Sequence, residues 1–150
     1  MTKILIKRAI VSVHDKSYLS LLADYFLQYK VEVLSTGGTA RFLKDYNTEL
    51  KIIEISEFTN FAEILGGRVK SLHPFIHSGI LGKKSDNNHI KELKNINVPF
   101  IDLVVTNLYP FERVVNDPKS KRQMCIENID IGGPTLIRGA AKNYDNVTVL

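Results

Sequence analysis

The sequence predicts an α/β domain built on a parallel sheet, and three observations carry the prediction. Short, β-branched apolar runs recur along the chain. The first three alternate with helix-periodic segments, giving β-α-β-α-β within 55 residues, an order that calls for right-handed crossovers and parallel strands. Polar, glycine-containing turns follow the runs, where an open α/β sheet places its ligands.

Arg8–Val13 is the first strand, apolar enough to be buried on both faces. A helix follows, capped by Asp15 or Ser17, with Tyr18, Leu22, Tyr25 and Tyr29 at three- and four-residue spacing and Leu19 and Phe26 beside them. Val31–Leu34 is the second strand, ended by the turn Ser35–Thr39. A short helix through Phe42 and Leu43 leads to a third strand at Lys51–Ile55, and Thr59 is placed to cap a helix through Phe61, Ile64 and Leu65. Ile101–Thr106 is the clearest buried strand. Asp130–Pro134 opens a helix over Thr135–Lys142 with proline in its first turn. Val147–Leu150 is a last apolar strand, and its position at the chain end suggests a piece of a longer protein.

At 150 residues, with 44% hydrophobic and 24% charged residues, the chain fits one soluble domain with a real core. A lone Cys125 excludes an internal disulfide framework and a cysteine zinc cluster; it suits a reducing cytosol and reads as a buried hydrophobe. The N-terminal stretch has no long apolar segment, and no apolar run approaches ~18 residues, so neither export nor membrane spanning is expected. The net charge of +4 is dispersed among 16 acids. Lys119, Lys121 and Arg122 form the densest basic cluster, without the interleaved aromatics of a nucleic-acid surface, and the excess suits a small phosphorylated substrate better.

The polar residues at the strand ends define a candidate site. The first strand delivers Ser12, His14 and Lys16, the second Thr36, Gly37, Gly38 and Thr39, and the fourth Asn107 and Tyr109. The Ser-Thr-Gly-Gly-Thr turn opens a helix, so free N–H groups and the helix dipole can hold a phosphate there. It lacks the Gly-Lys-Thr ending of a nucleotide-triphosphate loop. In Gly66–Pro74 two glycines precede Arg68, Lys70 and Ser71; if the segment is extended, Arg68 and Lys70 share a face toward an anion and Val69 turns away. His73 and His77 stand four apart, but Pro74 argues against one helix through both, and no metal site is expected.

Six blocks carry a close resemblance: Ser12-Val13-His14-Asp15-Lys16, Ser35–Thr39, Gly66–Pro74, Asn107-Leu108-Tyr109-Pro110-Phe111, Asp130-Ile131-Gly132-Gly133 and Ala140-Ala141-Lys142-Asn143. In this order they resemble the N-terminal IMP cyclohydrolase domain of the bifunctional formyltransferase/IMP cyclohydrolase family of purine biosynthesis. The resemblance implies a three-layer, methylglyoxal-synthase-like fold with five mainly parallel strands. It implies closure of the formyl-carboxamide ribonucleotide FAICAR to IMP with loss of water, with no metal or organic cofactor, in a cytoplasmic homodimer. The family's formyltransferase domain, which uses 10-formyl-tetrahydrofolate, would lie C-terminal and outside this chain, and the cyclohydrolase domain itself would run past residue 150. Ser71 and His14 stand where the family more often has threonine and serine.

By resemblance, Lys70 and Tyr109 stabilise the oxyanion, Asp130 takes or polarises the amide proton, and Lys142 donates or accepts the proton for water loss. Arg68, Ser71, Thr106, Asn107 and the Ile131 backbone would orient base and carboxamide, beside Gly132 and Gly133. Ser12, Val13, His14, Lys16, Thr36, Gly37, Gly38 and Thr39 would hold the 5′-phosphate. A straight helix from 130 to 142 would separate Asp130 and Lys142 by ~18 Å. Either residues 130–133 fold back, or one of the two serves a neighbouring subunit's site. Two other readings use a phosphate cradle on this fold: methylglyoxal synthase, and a nucleotide-sensing regulatory domain without catalysis.

Overall fold

The computed structural model describes residues 5–150; the start of the N-terminal stretch, residues 1–4, lies outside the described residues. Five strands, β1 (Arg8–Ser12), β2 (Glu32–Ser35), β3 (Ile52–Glu54), β4 (Leu103–Thr106) and β5 (Thr148–Val149), form one sheet in the order β3-β2-β1-β4-β5. All four pairings are parallel, as expected. Ala9, Ile10 and Val11 of β1 are fully buried, because helices cover both faces.

Side chains alternate between two cores. Ala9, Val11, Val33, Leu103 and Val105 face α1 (Leu19–Gln28) and α2 (Gly37–Tyr46), which supply Leu19, Ala23, Phe26 and Leu43. Ile10, Leu34 and Val104 face the other way, onto α3 (Ile55–Thr59), α4 (Pro74–Leu81) and α8 (Gly132–Lys142) through Ile55, Ile76, Ile80, Leu136 and Ala140. The result is the three-layer α/β/α sandwich. Gly79 permits close approach of α4 to the chain entering β4: a Cβ there would lie 2.9 Å from the Pro99 carbonyl oxygen. Asn143 then ties α8 to the end of α4, its Nδ2 donating to the carbonyls of Ile80 and Gly82 at 2.8 and 2.9 Å.

Several local expectations are corrected. Tyr18, Tyr25 and Tyr29 face solvent, and α1 buries the adjacent stripe Leu19, Ala23, Phe26. A phenol can stay wet, so the spacing alone does not identify the buried face. Asp15 and Ser17 do not cap α1; Asp15 instead accepts from the Ser17 N–H and hydroxyl within a tight turn. Thr59 ends a helix rather than starting one. Its hydroxyl donates to the Ile55 carbonyl, Asn60 takes a left-handed conformation, and Phe61, Ile64 and Leu65 are exposed. Pro74 begins α4, where a missing N–H costs nothing, and His73 caps it by accepting from the Phe75 N–H at 3.1 Å. Helix α8 starts at Gly132, ahead of Pro134. Four helices had no clear sequence signal: α4, α5 (Asn87–Asn95), α6 (Phe111–Val115) and α7 (Arg122–Glu127). Cys125, on α7, is half-buried rather than buried. No described helix is long and apolar enough to cross a membrane.

Candidate functional site

Chain order reverses between β1 and β4: the chain runs outward through β2 and β3, then returns to place β4 on the other side of β1. Loops leaving two such strands diverge and open a crevice at their carboxyl ends. A cleft of about 520 Å³ lies there. Its walls are the end of β1 and the residues after it (Ser12, Val13, His14, Lys16), the α2 entrance (Thr36–Thr39), the 66–72 loop (Gly66, Gly67, Arg68, Lys70, Ser71, Leu72), Asn107 and Tyr109 after β4, and Ile126, Glu127 and residues 129–133.

One corner of the cleft is built at the start of α2. Thr36 is extended and makes no side-chain cap, leaving the first backbone N–H groups of a ten-residue helix open toward the cleft. Gly37 sits at φ +52°, a conformation that favours glycine. A Cβ on Gly37 would lie 3.6 Å from Lys70 Nζ, and one on Gly38 would lie 3.8 Å from Lys16 Nζ. Two ammonium groups therefore flank one helix N-terminus, which concentrates positive potential.

The opposite wall is anchored at the start of α8. One Asp130 carboxylate oxygen accepts from the Gly133 N–H at 2.8 Å, and the other accepts from the Tyr109 N–H at 3.3 Å. Asp130 thereby fixes both the helix entrance and the Tyr109 loop. A Cβ on Gly133 would come within 2.5 Å of Leu108 Cδ2, and one on Gly132 within 2.9 Å of the buried Ser71 hydroxyl. The Tyr109 ring meets His14 edge-on, with centroids 5.6 Å apart, joining the β1 and β4 loops across the cleft floor.

Some residues are in place but occupied. Asn107 Oδ1 accepts from the N–H groups of His14 and Asp15 at 2.7 and 3.0 Å, while its Nδ2 donates to the Asp15 carbonyl. It pins the 14–15 loop. Thr39 donates to the Val13 carbonyl at 3.0 Å and is buried, so its hydroxyl is engaged within the fold. The 66–70 loop is not extended: Leu65–Gly67 form a 3₁₀ turn and Arg68 is helical in conformation. Arg68 and Lys70 consequently reach different acids, Glu127 and Glu63. The hydrogen bond from Arg68 holds the Glu127 carboxyl below its ordinary range.

Two expected residues lie elsewhere. Thr106 is at the end of β4 with its hydroxyl buried and without a hydrogen-bond partner, and it does not line the cleft. Lys142 is the last residue of α8, exposed, at the far end from Asp130. With Asp130 just ahead of the first turn of one continuous helix, the fold-back route is closed, and Lys142 does not reach the cleft of its own chain. Conversely, Ile126, Glu127 and Ile129 line the cleft without any sequence signal, while Gly66, Gly67 and Leu72 join it from the Gly66–Pro74 block. The isoleucines had no distinguishing signal, since an exposed apolar residue before a glycine turn reads as ordinary surface. Among the described residues no cluster of three or more His, Cys, Asp or Glu forms a metal site; His73 and His77 are separated by their roles at and inside the start of α4.

Comparison with known proteins agrees with this architecture. The MGS-like domain family matches residues 19–135. The bifunctional purine biosynthesis protein PurH of Acetivibrio thermocellus is 47% identical over 146 residues, which is 97% of this chain and 28% of that protein. PurH of Lactobacillus acidophilus is 48% identical over 144 residues, again 28% of its length. The chain thus spans little more than a quarter of these curated relatives. Among solved structures, ForH superposes with a TM-score of 0.79 at 32% identity, covering 95% of this chain and 72% of that one. An all-parallel five-stranded sheet, a cleft at its switch point and the match over residues 19–135 lead to one conclusion: the chain belongs to the MGS-like domain family.

Proposed function

We propose that this domain closes FAICAR to IMP with loss of water, as the cyclohydrolase part of a purine-biosynthesis enzyme. The observation that carries the reading is the two-walled cleft, with Lys16, Lys70 and the open α2 N-terminus on one side and Tyr109 and Asp130 on the other. The PurH relatives supply the pathway. The 5′-phosphate sits at the first turn of α2, where backbone N–H groups and Lys16 neutralise it. The base lies toward Leu72, Ile126 and Ile129, whose apolar surfaces accept a planar ring.

Ring closure joins the carboxamide nitrogen to the formyl carbon and then expels the formyl oxygen as water. An amide nitrogen is a weak nucleophile, so orientation of the two arms supplies much of the rate. Lys70 and the Tyr109 hydroxyl meet the charge that grows on the formyl oxygen. Asp130 accepts the amide proton; each of its oxygens already takes one backbone hydrogen bond and keeps a second lone pair for the substrate. Lys142 has no part in this step within one chain; a role for it requires a neighbouring copy. Formylation with 10-formyl-tetrahydrofolate belongs, in this reading, to sequence outside these 150 residues, and the active assembly is a cytoplasmic homodimer.

Incubation of the chain with FAICAR, followed by IMP absorbance, tests the proposal. IMP formation that is lost in Tyr109→Phe/Lys70→Met supports it. Tight IMP binding without turnover would instead favour a nucleotide-sensing domain, and methylglyoxal formation from dihydroxyacetone phosphate would favour the synthase.

A further inference from the structure

Lys70 has an acidic partner that no part of the proposed chemistry uses. Its ammonium lies 3.2 Å from Glu63 Oε2. The pairing is imposed by the backbone: Ile64 and Val69 form an isolated antiparallel bridge, so Glu63 and Lys70 leave it side by side. Gly66 and Gly67, at φ +62° and +91°, turn the intervening chain. Gly67 also makes room for the pair, because a Cβ there would stand 2.7 Å from Glu63 Oε1 and 3.2 Å from Lys70 Cε. A small hollow of about 40 Å³ beside α2 is bordered by Glu63, Lys70, Gly37 and Glu54. Glu54 is engaged by Lys44 at 2.7 Å, which leaves Glu63 as the carboxylate on Lys70.

We infer that Glu63 is a positioning residue that acts through Lys70, holding its ammonium beside the α2 N-terminus and yielding part of that contact when an anion enters the cleft. This rests on the reading of Lys70 as the group that meets substrate charge. Without Glu63, Lys70 keeps four free torsions and its charge is no longer directed at one point. The same loss removes a competitor for the ammonium. The two effects have opposite signs, and that opposition separates positioning from a purely structural role. Binding of a simple anion should tighten while turnover falls.

The test compares the wild-type chain, Glu63→Gln, Glu63→Asp, Lys70→Met and the Glu63→Gln/Lys70→Met pair. Titration calorimetry with inorganic phosphate and with IMP reads binding, and FAICAR closure reads turnover. Glu63→Gln is expected to tighten phosphate by roughly two- to fivefold, the scale of a part-exposed ion pair, and to lower kcat on the order of tenfold through misplacement of Lys70. Glu63→Asp should recover part of the loss in kcat. In the Lys70→Met background the Glu63 effect on phosphate should vanish, which is the signature of coupling. An equal Glu63 effect in both backgrounds, or no effect in either, overturns the inference. If the wild-type chain binds IMP but closes no FAICAR, the cyclohydrolase reading fails while the phosphate cycle still decides the role of Glu63. If it binds neither ligand, both fail.

Discussion

At the amino ends of the strands, Arg8 and Lys51 close on Glu32 and Lys84 closes on Asp102, and both carboxylates are buried. At the carboxyl ends, Lys16 and Lys70 stand beside open helix N–H groups, and the acids that reach Lys70 and Arg68 are exposed. Similar side chains thus do different work at the two ends of one sheet. Topology supplies the reason. In a right-handed β-α unit each helix begins near the carboxyl end of the strand before it, so positive helix ends gather there. Cations added at that end raise the attraction for an outside anion. At the amino end, Asp102 accepts from the N–H groups of Lys7 and Arg8 at 2.8 and 2.9 Å, and the charge is consumed inside the fold. If the proposed function holds, binding capacity and stability belong to opposite edges of the same sheet.

That division can be broken from either side. The largest effect is expected from Lys70→Met, which should lower kcat for ring closure by roughly 10²–10³ with an unchanged melting temperature; a rise in KM alone would make Lys70 a binding cation and leave the oxyanion to Tyr109. Asp102→Ala should do the reverse, costing about 2–4 kcal/mol of stability by stranding two backbone N–H groups and Lys84. Urea denaturation measures that loss, while IMP affinity of the folded fraction should stay unchanged; a large change in affinity would show that the two ends are coupled.

Lys16→Met should weaken inorganic phosphate about tenfold, the worth of one charge-assisted hydrogen bond, with little effect on stability. Binding at low and high salt checks it, since an electrostatic cradle should lose its advantage as ionic strength rises. The smallest effect concerns acid. Burial pushes the Glu32 carboxyl up, but hydrogen bonds from Lys51 and Arg8 outweigh it and leave the group below its ordinary value of 4.5. A carboxyl lowered in the folded state contributes stability that is present above pH 4.5 and is lost as pH falls through its folded value. Glu32→Gln should therefore flatten the acid limb of the stability profile below pH 4.5, and an unchanged limb would remove Glu32 from the account.

The sequence by itself determined the strands and the glycine turns that follow them. β1, β2 and β4 are continuous apolar runs, legible because a strand covered on both faces has no polar side to confuse the pattern. It also pointed to most of the cleft: Ser12, Lys16, Thr36–Thr39 and Tyr109 stand at or just past strand ends, and Lys70 and Asp130 stand beside paired glycines. Only the tertiary structure decided how those residues are used. Asn107 and Thr39 look like ligands in sequence and are spent on the β1 loop, because hydrogen-bond partners come from chain segments distant in sequence. Arg68 and Lys70 diverge because Gly66 and Gly67 curl a segment that the residue types would equally allow to be extended. The helices over 74–81 and 111–127 escaped notice for a related reason. Pro74 reads as a breaker until its place at the first helical position is known, and the exposed faces of α6 and α7 have no core stripe to betray them. Lys142, adjacent to the site in the family's motif order, lies an entire helix away from Asp130, because a helix converts sequence proximity into axial distance at a fixed rise per residue.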